Sequence, residues 1–266
     1  MNSLRPSALI GAFLLASGSM AAAQGVDSVP SATPVAALSR VPAQIRLWHA
    51  GAALAGTALI SLVDHDVQRF VVDHRTQGEQ DLADKWQKWG EATIPVAITL
   101  GTIGTGLVLG KPEVTRTGGR LATSLVVVTL LGRGMKKAIG RARPSEANDQ
   151  YTFDPLGTYT AFPSGHTITA FAFSTTLADA IDNRWADAGL YTLAGGTAAA
   201  RLVGNHHWLS DVVGAAVLGT TVAKVVDGKW RLFGLQPPAF LTGPQGAGLR
   251  WTLDAPALRG APRVRN

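Results

Sequence analysis

The sequence predicts an all-α protein, a helical bundle of about six core helices with one or two further amphipathic helices. The apolar segments are rich in Ala, Leu, Val, Thr and Gly, and each is long enough for a helix. No convincing alternation of apolar and polar residues, the pattern of a strand, occurs between them. The segments cover residues 47–63, 92–110, 120–135, 164–181, 186–202 and 210–226.

A charged stretch separates the first two segments and is predicted to form the amphipathic helices. Its apolar residues fall at helical spacing. They are Val67, Phe70, Val71, Leu82, Trp86 and Trp89. We expect Trp86 and Trp89 to pack in the core. The acidic and histidine residues at 64–66 and 73–74 are expected to face solvent, so no metal site is predicted.

The two ends of the chain are predicted to lie outside the folded domain. Residues 1–23 have the pattern of a secretory signal peptide, with cleavage expected near Ala23. Residues 24–44 are rich in Pro, Ser and Ala and are predicted to be a flexible linker. The helical domain is then expected over 45–233, and residues 234–266 are expected to be loop or disordered tail, with weak alternation at 249–254.

Charge and cysteine content limit the partners of the chain. It has no cysteine, which excludes disulfides and thiolate metal sites. The formal net charge is +6. For an exported chain we expect this charge to favour anionic lipid headgroups or a phosphorylated substrate, with no nucleic-acid partner. The sequence does not indicate an oligomeric state.

The apolar segments raise the question of membrane insertion. Residues 92–109 carry no charge over 18 positions, which is the length of a membrane-span candidate. The mean hydropathy of +0.16 is nevertheless low for six lipid-facing helices, and buried core helices explain the segments comparably well. We therefore expect an exported periplasmic protein, soluble or associated with a membrane surface, with an integral inner-membrane protein as the alternative.

A basic cluster ends the third segment. The stretch GRGMKKAIGRARPS places Lys136 seven positions before Arg143, among three further cations. Cations at the C-terminal end of a helix complement its dipole, so this cluster alone is also typical of a solvated helix end.

A helix start with anion-binding features opens the fourth segment, AFPSGHTITAF at 161–171. Pro163 suits the first turn and Ser164 suits the cap. The same geometry aims free backbone N–H groups at an anion, and Gly165 would let that anion approach closely. His166 would stand beside it with a proton that can be given or taken near neutral pH.

A third cluster joins the fifth and sixth segments. Arg201 lies near the end of the fifth, and His207 and Asp211 are four residues apart at the start of the sixth. A carboxylate at this spacing can orient an imidazole and stabilise its charged form. We expect the adjacent His206 to be structural and Trp208 to pack against the helix start.

The topology predicts that these clusters converge. In an up-and-down bundle, the end of segment three, the start of four, the end of five and the start of six all lie at the same end. Cations, a helix N-terminus and two histidines would then form a site for a tetrahedral oxyanion.

These motifs resemble those of the type-2 phosphatidic acid phosphatases, which share a fold with bacterial class A acid phosphatases and vanadium haloperoxidases. At the spacings of that family, the chain supplies Lys136 with Arg143-Pro144, then Pro163-Ser164-Gly165-His166, then Arg201, His207 and Asp211. It departs from the family pattern at Ala200, which stands where the family has serine and so lacks one hydroxyl.

The resemblance implies an acid phosphatase/haloperoxidase-like fold and a role for each matching residue. His207 would attack phosphorus and be oriented by Asp211, while His166 would protonate the leaving alcohol and then activate water. The phosphoryl oxygens would be held by Lys136, Arg143, Ser164, Gly165 and Arg201. The expected activity is hydrolysis of phosphate monoesters or diphosphates, on a lipid-linked or small ester substrate, with no metal or other cofactor.

Two alternatives remain open from the sequence. The first is a vanadium-dependent haloperoxidase, because vanadate presents oxygens similar to those of a phosphoryl group and would bind the same residues as a cofactor. The second is a non-catalytic module that binds an anion or a lipid.

Overall fold

The computed structural model describes residues 43–233, 239–243 and 246–250. The predicted signal peptide and most of the predicted linker lie outside these residues. Within 43–233 the chain is mostly helical, with a long non-helical connection over 140–164, and this confirms the predicted fold class. The helices are α1 (Leu47–Ser61), α2 (Asp64–His74), α3 (Gln77–Trp86), a 3₁₀-helix (Gln87–Gly90), α4 (Thr93–Val108), α5 (Pro112–Ile139), α6 (Gly165–Ile181), α7 (Arg184–Val203) and α8 (Leu209–Val226).

Helix α5 is much longer than its predicted apolar segment. It begins with Pro112 in the first turn and ends at Gly140, whose φ of 58° suits a left-handed C-cap. Its first turns pack closely on α4 through glycine: a Cβ added to Gly118 would lie 2.4 Å from Ile103 Cγ1. The apolar segment was shorter than the helix because the first turns of α5 contact α4 through small residues rather than large apolar ones.

Helix α6 is the centre of the bundle. It packs against α5, α7 and α8, and much of its length is buried. Small and hydroxyl side chains form most of this buried surface, which lets the neighbouring helices approach closely. The apolar core cluster consists of Val128, Ile168, Ala172, Ala215, Val222 and Val226.

Helices α1 and α4 do not fit the interpretation as buried core helices, which the sequence allowed comparably well as membrane insertion. No residue of α1 is buried, and large apolar side chains such as Leu54, Leu59, Leu100 and Leu107 are more than half exposed. The segments Gln77–Val108 and Leu209–Val226 are each long and apolar enough to cross a membrane. Helices α1 and α2, bent by 53° relative to each other, would make a third span if they act as one.

Four short strands complete the described residues. Strand β1 (Ala43–Ile45) pairs in parallel with β2 (Trp230–Leu232), so the predicted linker is wrong at its last two residues. Strands β3 (Ala239–Gly243) and β4 (Gly246–Arg250) form an antiparallel hairpin where the sequence predicted loop or disorder. The glycines in and around β3 and β4 hid these two strands from sequence analysis. Strand β1 was missed because its partner lies at the far end of the domain, outside any local sequence window.

Candidate active site

Four helix ends meet at one end of the bundle. They are the last turns of α5 and α7 and the first turns of α6 and α8. The starts of α6 and α8 are joined directly, because the backbone amide of Ser164 donates to the carbonyl oxygen of Asp211 at 3.2 Å. The helix ends therefore lie together, as the bundle topology predicted. They bring the basic cluster, the start of α6 and the segment from Arg201 to Asp211 to one end of the bundle.

His207 and Asp211 form a buried pair at the start of α8. His207 Nδ1 lies 3.5 Å from Asp211 Oδ2 but has no hydrogen-bond partner among the described residues, and both side chains are almost fully inaccessible to solvent. The other ligands of Asp211 fix its carboxylate: the Trp208 amide donates to Oδ2 at 3.0 Å, and Arg141 Nη1 donates to Oδ1 at 2.7 Å. A proton on Nδ1, which faces this carboxylate, would leave the free lone pair of His207 on Nε2.

Burial keeps His207 neutral. Loss of solvation lowers the pKa of His207 to about 4, against the opposing effect of Asp211, and the cations Lys136 and Arg201 lower it further. At neutral pH the imidazole is therefore unprotonated, which is the form in which a ring nitrogen can attack an electrophile.

His166 stands in the first turn of α6 and is half-buried. Loss of solvation, followed by the positive charge of Arg201, lowers the pKa of His166 to about 4. His207 and Lys136 contribute in the same direction, so His166 lies within electrostatic reach of the other site residues. An anion entering between them would favour the protonated form of His166.

Three cations line the same region. Lys136 Nζ donates to the carbonyl oxygen of Thr160, and Arg143 Nη2 donates to the Thr160 hydroxyl at 3.3 Å. Arg201 Nη1 donates to Gln87 Oε1. Among the described residues, the buried Nε atoms of Arg143 and Arg201 have no hydrogen-bond partner. Two unpaired guanidinium donors in a buried site are the arrangement that an oxyanion would satisfy.

The cations affect one another. Burial and then the charge of Arg143 lower the pKa of Lys136 to about 8, and burial and then Arg143 lower the pKa of Arg201 to about 10. This mutual repulsion is relieved when negative charge binds between the side chains. The electrostatics therefore favour an anion with more than one negative oxygen.

The start of α6 matches its prediction only in part. Ser164 is the N-cap residue, but its hydroxyl makes no cap hydrogen bond and accepts instead from Thr167 Oγ1 at 3.0 Å. Ser164 is fully buried, so the structure does not bring its hydroxyl to the accessible part of the site. Pro163 precedes the cap, after a cis peptide bond, and is not in the first turn as predicted.

Gly165 leaves space at this terminus. A Cβ added at Gly165 would have only Lys136 Cε near it, at 3.9 Å. The first amides of α6 have no partner within the helix, as at any helix N-terminus. The position of Gly165 is consistent with the predicted close approach of an anion.

Asp64 and Arg141 were missed by the sequence analysis. Asp64 was expected to face solvent, but it is fully buried and its Oδ2 accepts from Arg141 Nη2 at 2.7 Å. The prediction was wrong because the partner of Asp64 is distant in sequence, and a charged helix start is usually exposed. The signal that could have found it is the placement of Asp64 three positions after the end of an uncharged 15-residue helix.

Trp86, Trp89 and Trp208 occupy structural positions, as expected. Trp89 Nε1 donates to Ser174 Oγ at 2.9 Å, and the Trp89 ring packs edge-on against Phe173. Trp86 fills the space over Gly196, where an added Cβ would lie 1.6 Å from its ring. Trp208 is buried and donates from Nε1 to the carbonyl oxygen of Ala142 at 2.9 Å.

A comparison with protein families matches residues 117–228 to the family described as the PAP2 superfamily. A comparison with curated proteins finds a lipid A 1-phosphatase from Porphyromonas gingivalis, 35% identical over 121 residues, which are 42% of this chain. The match covers 24% of that relative, so this chain spans about a quarter of its length.

A comparison with solved structures finds two proteins, one PAP2-type and one LpxE. A transmembrane PAP2-type phosphatidylglycerolphosphate phosphatase from Bacillus subtilis has a TM-score of 0.54 and 18% identity, over 67% of this chain and 94% of its own. Aquifex aeolicus LpxE has a TM-score of 0.49 and 19% identity, over 61% of this chain and 93% of its own. The Bacillus subtilis structure supports the helical fold described above.

Proposed function

We propose that this chain, whose residues 117–228 match the PAP2 superfamily, is a phosphoric ester hydrolase that forms a phosphohistidine at His207. The observation that carries the proposal is the meeting of three cations and two neutral histidines at one end of the bundle, with the Nε atoms of Arg143 and Arg201 unpaired. The lipid phosphatase name of the Porphyromonas gingivalis relative supports the same reaction class.

The first role of the site is to bind the phosphoryl group. Lys136, Arg143 and Arg201 would neutralise its oxygens, and the free amides at the start of α6 would donate to them. Phosphoryl transfer depends mainly on positioning and charge neutralisation. We propose that these cations supply the charge for which other phosphatases use divalent metal, so activity is expected to persist in a chelator.

The second role is nucleophilic attack. His207 Nε2 forms a bond to phosphorus while the bond from phosphorus to the leaving oxygen breaks, and His166 gives its proton to that oxygen. The imidazole of His207 gains positive charge as it bonds, and Asp211 beside Nδ1 stabilises this charge. Because phosphate binding favours protonated His166, the acid is generated only when substrate is present.

Hydrolysis of the intermediate reverses the roles. His166, now neutral, takes a proton from a water molecule whose oxygen attacks phosphorus. The phosphorus–nitrogen bond breaks, and His207 returns to its neutral form. Two steps through a covalent intermediate each have a lower barrier than direct attack by water.

We further propose that the chain works in a membrane on a lipid-linked phosphate. The exposed apolar side chains of α1 and α4, including Leu54 and Leu100, form surface that water solvates poorly and lipid tails accommodate. Helix α8, which begins at the site, is one of the segments apolar enough to span a bilayer. A site at the end of such a helix lies near the depth of lipid headgroups.

A substrate screen with one matched variant tests the proposal. Phosphate release by the detergent-purified protein is measured on phosphatidate, a polyprenyl diphosphate, lipid A and p-nitrophenyl phosphate, with and without chelator. His207→Ala is expected to abolish release. His74→Ala, which removes an exposed histidine of α2, is expected to leave it unchanged.

Three outcomes would contradict the proposal. Undiminished release by His207→Ala would show that His207 is not the nucleophile. Loss of release in chelator would show that the activity requires a metal ion. Halide oxidation with peroxide and added vanadate, without phosphate release from any ester, would favour a haloperoxidase. For the membrane claim, release of the protein by osmotic shock without detergent would be the contrary result.

A further inference from the structure

A buried chain of charges runs from helix α2 to the proposed nucleophile. Asp64 Oδ2 accepts from Arg141 Nη2, and Arg141 Nη1 donates to Asp211 Oδ1, both at 2.7 Å. Asp211 then faces His207 through its other oxygen, Oδ2. All four side chains are almost fully buried, so solvent screens their interactions very little.

Ser210 closes this network. Its amide donates to Asp64 Oδ1 at 2.8 Å, and its hydroxyl donates to Asp64 Oδ2 at 2.5 Å. Arg141 Nη1 also donates to the Ser210 hydroxyl at 2.7 Å. Asp64 therefore holds both Arg141 and the backbone of α8 directly beside Asp211.

Helix α2 and its C-cap residue contact the segment before His207 at two more points. Gln68 Nε2 donates to Asn205 Oδ1 at 2.9 Å, and Arg75 Nη1 donates to the carbonyl oxygen of Val203. Asp64, Gln68 and Arg75 thus support the segment from 203 to 210 on one side. This helix lies outside the residues that match the PAP2 superfamily, so the family motifs do not include its contribution.

Charge balance makes Asp64 more than a packing residue. Without Asp64, the positive charge of Arg141 would be opposed only by Asp211, which would be drawn toward Arg141 and away from His207. With Asp64 present, Arg141 has a second carboxylate partner and Asp211 retains negative charge for the imidazole. The two carboxylates therefore divide one guanidinium between them.

We propose that Asp64 is a positioning residue that, through Arg141, orients Asp211 toward His207 Nδ1 and so selects the tautomer with a free lone pair on Nε2. The inference deepens the proposed function, on which it rests, by naming a residue that prepares the nucleophile without touching the substrate. Asp64→Asn is the direct test. Its amide presents a donor where Arg141 or Ser210 also donates, which disrupts the network with little change of shape.

The first readout is independent of activity. With ¹⁵N-labelled histidine, the ring-nitrogen shifts of His207 at neutral pH report its tautomer, and His207→Ala assigns the signals. Wild-type protein is expected to show one tautomer protonated at Nδ1, and Asp64→Asn a mixture. Asp179→Asn is the matched control, because it also removes a carboxylate that pairs with cations, Lys224 and Lys229, at the other end of the bundle.

The second readout is kinetic. Because Asp64 does not contact substrate, Asp64→Asn is expected to lower kcat about 10- to 100-fold, the usual cost of losing a residue that orients a ligand, with KM unchanged. A single unchanged tautomer in folded Asp64→Asn, with kcat reduced only by the unfolded fraction, would overturn the proposal. If Asp64→Asn does not fold, Ser210→Ala removes the bridging hydroxyl while keeping all charges, and smaller changes in the same direction are expected.

The two proposals fail separately in this design. A change of His207 tautomer in Asp64→Asn, together with undiminished phosphate release by His207→Ala, would support the positioning role of Asp64 and reject the proposed reaction. An unchanged tautomer in both Asp64→Asn and Ser210→Ala, together with loss of release by His207→Ala, would reject the positioning role of Asp64 and support the proposed reaction.

Discussion

His207 Nδ1 lies 3.5 Å from Asp211 Oδ2 in a region where both side chains are almost completely buried. The distance is long for a hydrogen bond, and the Trp208 amide donates to the same Oδ2 at 3.0 Å. The pair is therefore ready to tighten when positive charge develops on the imidazole. In the proposed mechanism, the charge on Asp211, rather than its shape, is therefore expected to be the property on which the reaction depends.

The first prediction concerns Asp211→Asn. The amide keeps the shape of the side chain but removes the charge and favours the wrong tautomer of His207. By analogy with the same change in a serine-protease triad, kcat is expected to fall about a thousand- to ten-thousand-fold. Steady-state kinetics on the best substrate measures it, with Asp179→Asn as the control. A loss of less than tenfold would contradict the stabilising role of Asp211.

The second prediction concerns pH and Lys136. Because burial and Arg143 lower the pKa of Lys136 to about 8, its charge is present below that pH and is lost above it. Inhibition by inorganic phosphate is therefore expected to weaken as the pH rises through about 8. Lys136→Arg keeps its charge and is expected to retain inhibition at higher pH.

Lys137→Arg is the matched control for this experiment, because Lys137 is exposed and donates to the carbonyl oxygen of Gly157 at 3.0 Å. It is expected to leave the pH dependence of inhibition as in the wild type. Identical pH profiles for Lys136→Arg and the wild type would show that Lys136 does not hold the anion.

The third prediction concerns Gly90 in the 3₁₀-helix. A Cβ there would lie 2.4 Å from the carbonyl oxygen of His166 and 2.7 Å from Thr197 Cγ2. Gly90→Ala is expected to lower the free energy of unfolding by about 1–3 kcal/mol and to reduce activity, because the backbone at His166 must move. Thermal melts and phosphate release measure the two effects.

Gly189→Ala in α7 is the opposite case, since nothing lies within 4 Å of the added Cβ. It is expected to stabilise the helix by up to about 1 kcal/mol, with activity unchanged. Equal melting temperatures for the Gly90 and Gly189 variants would disprove the close contact between the 3₁₀-helix and α6.

The fourth prediction concerns Asp227, which caps α8 at the end of the bundle opposite the site. Burial and then the neighbouring carboxylate of Asp179 raise the pKa of Asp227 from 3.8 to about 7. The folded protein thus binds a proton that the unfolded chain releases, so stability is present at low pH and is lost as the pH rises toward about 7. The cations Arg120 and Lys229 oppose this effect.

Asp227→Asn is therefore expected to raise the apparent melting temperature at pH 8 and to flatten its decline between pH 5 and pH 8. A parallel pH dependence in the variant and the wild type would assign the decline to other groups.

Local sequence patterns predicted most of the helices. Apolar segments and caps located α6, α7 and α8 to within a few residues, because the helical period and the caps are encoded locally. The start of α5 and the strand β1 were missed, since the first depends on glycine contacts with α4 and the second on a partner at the far end of the domain. The exposure of α1 was not predicted, because hydropathy alone does not distinguish a helix that is buried in the protein from one that faces lipid.

The site was predictable where the residues that act lie in local motifs. His166, His207 and the cations occur in short segments whose positions follow from bundle topology. Asp64 was not predictable in this way, because its role depends on Arg141, 77 positions further along the chain. A buried ion pair between distant residues leaves no periodic signal in one sequence. The export predicted from residues 1–23 stays a prediction.

Direct detection of the phosphoenzyme tests the central claim. An aryl phosphate with a good leaving group is mixed with enzyme and quenched in alkali, in which phosphohistidine survives, and the peptide that contains His207 is analysed by mass spectrometry. In His166→Ala the intermediate is expected to accumulate, because the leaving group needs no proton whereas the attacking water still needs a base. The account predicts one phosphoryl group on His207 in this variant, and a phosphoryl group on another residue, or none while phosphate is still released, would contradict it.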